Sequence, residues 1–232
     1  MTFHKRTVLR AWAGVLLGLA ASLAVAQTSV APAAVEALAP RQTESDEYTR
    51  YELLDPSSAR FRILYEVTAT TPGARRFWNP IRKGSIASNE SVTDPASERP
   101  LGFTEVSGAE AKAGGLEGAD LDTRYLQIEL PRPVPAQGEV RLLIDKTYQD
   151  AKSYFVEPDT GFIVFSRSLG IKRNSVLLPA GYEVVACNYP SQVIPEPVSS
   201  ATEKPGSSRL LLSFFNIGPD PVSYVVKGRR TK

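Results

Sequence analysis

The stretch Arg75-Arg76-Phe77-Trp78-Asn79-Pro80-Ile81-Arg82-Lys83 sets four bases around one tryptophan, a combination suited to recognition. A guanidinium offers a planar pair of donors to a carboxylate or phosphate, and an indole face stacks on a sugar ring or a cation. Arg75, Arg76, Trp78, Arg82 and Lys83 are therefore a candidate site for an anionic sugar or a peptide carboxylate. The competing reading packs Trp78 in the core and leaves the bases on a solvated loop. A second basic cluster, Arg167, Lys172 and Arg173, brackets Leu169-Gly170-Ile171 just after an expected strand. It reads as a turn on a charged surface, unless the two clusters converge in space.

Other reactive types are scattered. Carboxylate-pair hydrolysis needs only two acids about 5 to 10 Å apart across a glycosidic bond. Glu129, Asp145, Asp150, Glu157 and Asp159 are the candidates, and none stands in a recognisable motif. Lys146 and Tyr148 share one strand end and suit a base and acid pair, although both are expected on the rim. Glu117, Asp120 and Asp122 offer hard oxygen ligands, but their spacing departs from a calcium loop, so an acidic solvated loop is expected. Cys187 follows Val184-Val185-Ala186 with no basic neighbour to activate its thiol, and reads as a small buried hydrophobe.

The chain's first residues limit this chemistry further. Lys5, Arg6 and Arg10, then an apolar stretch from Ala11 to Ala24, then Ala24-Val25-Ala26 before Gln27, form the pattern of a cleaved secretory signal peptide. The apolar run is shorter than the ~18 to 20 residues that cross a bilayer, and no later segment is long and apolar enough. Gln27, not cysteine, stands at the cleavage point, which argues against a lipid anchor. Cleavage leaves 24 Lys and Arg against 25 acids, so the net charge turns from +2 to −1 and nucleic acid drops out as a partner. The only histidine, His4, and the only methionine, Met1, leave with the leader. Ser-His-Asp, Cys-His and HExxH chemistries are then excluded. A single cysteine excludes an intramolecular disulfide and a Cys-rich metal site.

The elements that must position these residues are strands. Residues 27–47 form a leader whose first part is rich in Ala, Pro, Ser and Thr, and the folded part is expected over 48–230. Phe61, Ile63, Tyr65 and Val67 alternate with polar partners, as do Val140, Leu142 and Ile144, the mark of strands with one buried face. Further strands are expected at Tyr51–Leu54, Tyr125–Leu130, Phe162–Arg167, Tyr182–Cys187, Leu210–Phe215 and Val222–Val226. Glu157-Pro158-Asp159-Thr160-Gly161 predicts a hairpin turn, and Pro179-Ala180-Gly181 repeats its logic. Gly108–Asp120 and Pro195–Ser208 read as long loops. Short strands among 18 Pro and 16 Gly point to an all-β domain, a single β-sandwich or a saddle-like antiparallel domain.

Leu178-Pro-Ala-Gly-Tyr-Glu-Val-Val-Ala-Cys187-Asn188-Tyr-Pro190, a Pro-rich loop, Arg209–Phe215 and Val222–Val226 resemble the closing strands of the N-terminal β-domain of M1-family aminopeptidases. The rhythm of Tyr51–Ala69 and of the run from Leu130 through Gly138 to Leu142 is similar to that domain as well. The phrases Leu169-Gly-Ile-Lys-Arg-Asn174 and Leu178-Pro-Ala-Gly-Tyr182 also resemble a group of exported bacterial β-proteins, which implies no function. The aminopeptidase resemblance implies a single saddle-shaped β-domain. It implies no peptidase activity, because the family's zinc and exopeptidase motifs lie in a following domain that these residues do not contain.

Together these readings describe an exported all-β binding or interaction module of the cell envelope, periplasmic or extracellular, with a protein or a glycan as partner. No catalytic residue, cofactor or metal is expected. A glycan hydrolase using paired carboxylates and a structural subunit docking through a sheet edge are the alternatives.

Overall fold

Period-two alternation becomes strand wherever the sequence carries it. In the computed structural model, residues 47–197 and 208–231 are described. The expected signal peptide, all but the last residue of the leader, and most of the Pro195–Ser208 loop lie outside them. The strands are β1 (Tyr48–Leu53), β2 (Arg60–Ala69), β3 (Arg76–Ile81), β4 (Ile86–Asp94), β5 (Arg99–Pro100), β6 (Phe103–Ser107), β7 (Arg124–Glu129), β8 (Val140–Gln149), β9 (Tyr154–Val156), β10 (Ile163–Leu169), β11 (Arg173–Leu177), β12 (Tyr182–Cys187), β13 (Gln192–Pro197), β14 (Ser208–Phe215) and β15 (Val222–Arg230). Among the described residues one short α-helix, α1 (Gly108–Ala113), and a 3-10 turn at Pro56–Ser58 interrupt them.

They assemble into three sheets, so the domain is all-β. The large sheet has the order β13-β14-β11-β1-β2-β8-β4-β5, the second β12-β15-β10-β9 and the third β3-β7-β6. Pairing is antiparallel except for β1 with β11, which makes the large sheet mixed. At its centre β2 and β8 run in register, Phe61 opposite Tyr148, Ile63 opposite Lys146 and Val67 opposite Leu142. The inner face of this sheet shares one apolar core with both small sheets. Phe165 of β10 packs on Tyr51 and Phe61 at 5.3 and 5.4 Å between ring centres, Tyr224 of β15 stacks on Phe214 at 4.4 Å, and Leu126 and Ile128 of β7 complete the core. Edge and tilted ring pairs of this kind add to what burial alone contributes.

Two expected loops take other forms. Gly108–Asp120 begins with α1, capped by the Ser107 hydroxyl on the Glu110 amide while Glu110 reaches back to the Ser107 amide. The Glu157–Gly161 turn does join a hairpin, β9 to β10, with Gly161 at φ 69°. Pro179-Ala180-Gly181 also turns the chain, with Gly181 at φ 74°, but β11 and β12 belong to different sheets. The turn is a crossover between layers, because β11 completes its ladder with β1 and β14.

Candidate functional site

The alternation that makes β8 a half-buried strand does not stop at Ile144. Continued by two steps it sends Lys146 and Tyr148 to the core face, and both are buried, with Lys146 at 4% exposure. The expectation of two rim residues is thereby corrected. In β10 the same period carries Ile163, Phe165 and Leu169 inward together with Arg167, which is 8% exposed. Arg167 is not on a surface turn. In β3, Asn79 faces the core, while Trp78 lies on the opposite side.

These side chains meet where β3 and β10 approach the inner face of β1, β2 and β8. They line a pocket of about 400 Å³ with Thr49, Tyr51, Tyr65, Pro80, Arg82, Gly170 and Ile171. Lys146 Nζ donates to Asn79 Oδ1 at 2.5 Å and lies 4.9 Å from the centre of the Tyr148 ring. The Arg167 guanidinium lies 5.3 to 5.8 Å from the rings of Phe61, Tyr148 and Tyr51. Such cation–π contacts recover part of the lost hydration. Its partner behind the pocket is buried Asp150, at 3.6 Å, and Ser153 Oγ accepts from its Nη1 at 3.4 Å.

Asp150 is itself built to stay charged. Burial pushes its carboxyl up, but donors from Ser153 and Ser85 and the amides of Lys152 and Ser153 outweigh that and hold it below the ordinary range. Lys146 has no such partner. Burial foremost, then the charge of Arg167, pushes its ammonium down to about 7, against a small opposing pull from Glu90. Glu90 is placed by a bulge in β4: Ser88 pairs with Thr147 and Ser91 with Asp145, so Asn89, at φ 55°, and Glu90 stand opposite Lys146 alone. Burial likewise raises Tyr51 and Tyr148, which stay protonated, and lowers Arg167, which stays cationic. Among the described residues the pocket is thus lined by Arg82, Arg167 and Lys146 and by no carboxylate.

Of the eight expected site residues, Arg82 and Arg167 come together here. The two clusters converge through one member each. Arg75, Arg76 and Trp78 line a separate shallow groove with Gly114, Gly115 and Glu129, where Arg76 pairs with Glu129 at 3.1 Å. Trp78 is half-buried against Gly114, where a Cβ would lie 2.7 Å from the indole. Lys83 pairs with Asp120 at 3.0 Å and Asp122 at 3.8 Å, so these acids of the expected loop already hold a cation. Lys172 donates to the Gly218 carbonyl. Arg173 lines a larger concavity of about 810 Å³ with Tyr48, Glu66 and Phe215, in which base and acid face the same space. Cys187 is half-buried, its Sγ 3.1 Å from the Tyr189 carbonyl.

Among the acids considered for hydrolysis, Glu129, Asp145, Asp150 and Glu157 each face a base: Arg76, Arg62, Arg167 and Lys227 respectively. Asp159 is exposed. Asn79 is the site residue that sequence reasoning missed, and Lys146, a candidate base by sequence, lies in the pocket instead of on the expected rim. The signal for both was the strand period itself, overridden by the expectation that a charged or amide side chain faces water.

No family model matches the chain, and no curated protein does. Among solved structures it is similar to an aminopeptidase N family protein from Idiomarina loihiensis, with a TM-score of 0.42 and 10% identity over 78% of this chain and 29% of that one. It is also similar to a candidate protease from Parabacteroides distasonis, with a TM-score of 0.37 and 11% identity over 78% of this chain and 39% of that one. This chain therefore spans well under half of either protein. The first of them bears the family name that the strand rhythm resembles, and at these scores the likeness carries no argument about activity.

Proposed function

We propose that this chain is an exported binding module of the cell envelope, and that its pocket beneath β3 and β10 holds the acidic group of a glycan. The observation that supports it is the gathering of Arg82, Arg167 and Lys146 around one cavity with no lining carboxylate among the described residues. Tyrosine and proline in the walls suit a sugar ring, and a carboxylate on that ring would meet the bases. Binding is favoured over hydrolysis because four of the five candidate acids are held in ion pairs. Export rests on the basic, apolar and small-residue pattern of the first 26 residues.

Calorimetric titration with methyl glucuronide beside methyl glucoside is the test. The acidic sugar is expected to bind at least 10-fold more tightly, and Arg82→Ala to abolish the difference. Equal binding of both sugars, or of neither, would sink the reading. A second reading, docking through a sheet edge, has one observation in its favour. β13 ends the large sheet with Val193 and Ile194 at 50% and 42% exposure.

A further inference from the structure

Lys146 differs from the other lysines whose partners are seen. Lys83 and Lys227 sit on carboxylates, and Lys172 is held by a main-chain carbonyl. An ammonium has three hydrogens to donate. Among the described residues Lys146 Nζ finds one acceptor, Asn79 Oδ1, and the π-face of Tyr148. That surrounding suits a neutral amine better: one N–H on Asn79 anchors the group, and the lone pair is left for the cavity. An unprotonated amine in a pocket is a nucleophile for carbonyl carbon.

The pocket also supplies what would orient such a carbonyl. Arg82 lines the same cavity, and the Arg167 guanidinium lies 5.4 Å from the Tyr148 ring centre that Lys146 approaches to 4.9 Å. We propose that Lys146 captures the carbonyl of an oxo acid as a reversible imine, with Arg82 and Arg167 holding the carboxylate of the same molecule. This rests on reading the pocket as an anion site and names the ligand's second functional group. The open-chain form of an acidic reducing sugar is one such oxo acid, and a simple 2-oxo acid is another.

The step needs no outside reagent. The Nζ lone pair attacks the carbonyl carbon and the π pair moves to oxygen. The two amine hydrogens pass to that oxygen, the C–O bond breaks, and C=N forms with release of one water. Return of water reverses it. The depressed ammonium of Lys146 helps, since a group titrating at about 7 is roughly half unprotonated at pH 7, against about one in a few thousand for a solvated lysine.

The experiment uses the full mature chain at pH 7 with cyanoborohydride, which reduces an imine to a stable secondary amine, and maps the modified lysines by peptide mass. Pyruvate, glucuronate, methyl glucuronide and acetone are the probes. Pyruvate or glucuronate is expected to mark Lys146 saturably and at least 10-fold ahead of any other lysine. Methyl glucuronide, whose ring is locked, is expected to leave no mark. Acetone, without a carboxylate, should need at least 10-fold higher concentration. Arg82→Ala should raise the half-saturating concentration of the oxo acid at least 10-fold, and Lys146→Met should lose the mark entirely. The two marking probes separate a free oxo acid from a sugar reducing end. Lys146 left unmarked while methyl glucuronide binds overturns the imine and leaves the anion site standing. Modification spread evenly over the lysines overturns it too, and no binding and no mark removes both.

Discussion

Asp145 and Lys146 are neighbours in β8, and the pleat of the sheet sends them to opposite faces with opposite fates. On the outer face Asp145 takes both ends of the Arg62 fork at 2.9 and 2.6 Å. Arg62 reaches Glu52 at 3.5 Å, Glu52 meets Arg50 at 2.8 Å, and Arg50 closes a second fork on Glu196 at 2.9 and 2.6 Å. Each base there has an acid and partial contact with water, and the same contacts push Arg50 and Arg62 further up. Among the described residues of the inner face, Arg167 has one acid within reach, Asp150 at 3.6 Å, and Lys146 has none in contact, only the weaker pull of Glu90 across the bulge. The outer network is a solvated tie between strands. The inner cations are costly to bury, and that cost marks where a ligand would contribute most.

The comparison is broken hardest at Asp150. Asp150→Ala removes the one acid that faces Arg167 among the described residues and leaves a buried cation without a carboxylate partner. A loss of about 3 to 5 kcal/mol is expected from urea unfolding. The wild-type contribution should be present above pH 4 and fade as pH falls through the depressed value of this carboxyl, because a protonated Asp150 no longer favours the folded state. A loss under about 1 kcal/mol would mean that the three aromatic rings suffice to hold Arg167.

Lys146→Met should act in the other direction. Its ammonium titrates near 7 in the folded chain and near 10.5 unfolded, so between those values the unfolded chain binds more protons and stability rises with pH. Below pH 7 both states are protonated and the full penalty stands. The variant is therefore expected to be more stable than wild type by about 1 to 3 kcal/mol at pH 6, after losing the Asn79 hydrogen bond, with the gain shrinking towards pH 10.5. A destabilised variant at pH 6 would show that Lys146 carries structure rather than binding.

How much of this was legible follows from the same alternation. The strands around Phe61–Val67 and Val140–Ile144 are plain in the sequence, and so is the Glu157–Gly161 hairpin. Lys146 and Arg167 had the right spacing, yet residue type argued against burial, and only packing against Asn79 and the aromatic rings decides that conflict. The meeting of Arg82 with Arg167 is topological. It follows from β3 and β10 entering different small sheets over one large one, which no local pattern encodes. Pro179-Ala180-Gly181 shows the same limit: a turn is local chemistry, but the partner of each strand is chosen at long range. The helix α1 had a local sign, Ser107 with Glu110 three residues on, obscured by the glycines at 114 and 115.

The smallest expected effect is on the outer face, and it sharpens the comparison because it should respond to salt more than the inner site does. A double-mutant cycle on Arg62 and Asp145, each replaced by alanine, measures their coupling free of what either side chain does alone. Arg62 is 43% exposed and Asp145 24%, so a two-pronged ion pair this wet is expected to couple by about 0.2 to 1 kcal/mol. In 1 M salt, where the screening length falls to about 3 Å, the coupling should drop by half or more. The cost of Asp150→Ala in the same salt should change less, since Asp150 and Arg167 meet behind the pocket with both side chains 7% exposed. Coupling above 2 kcal/mol on the outer face, or equal salt sensitivity of both pairs, would erase the distinction between a solvated tie and a desolvated site. The inner cations would then need no ligand to explain them.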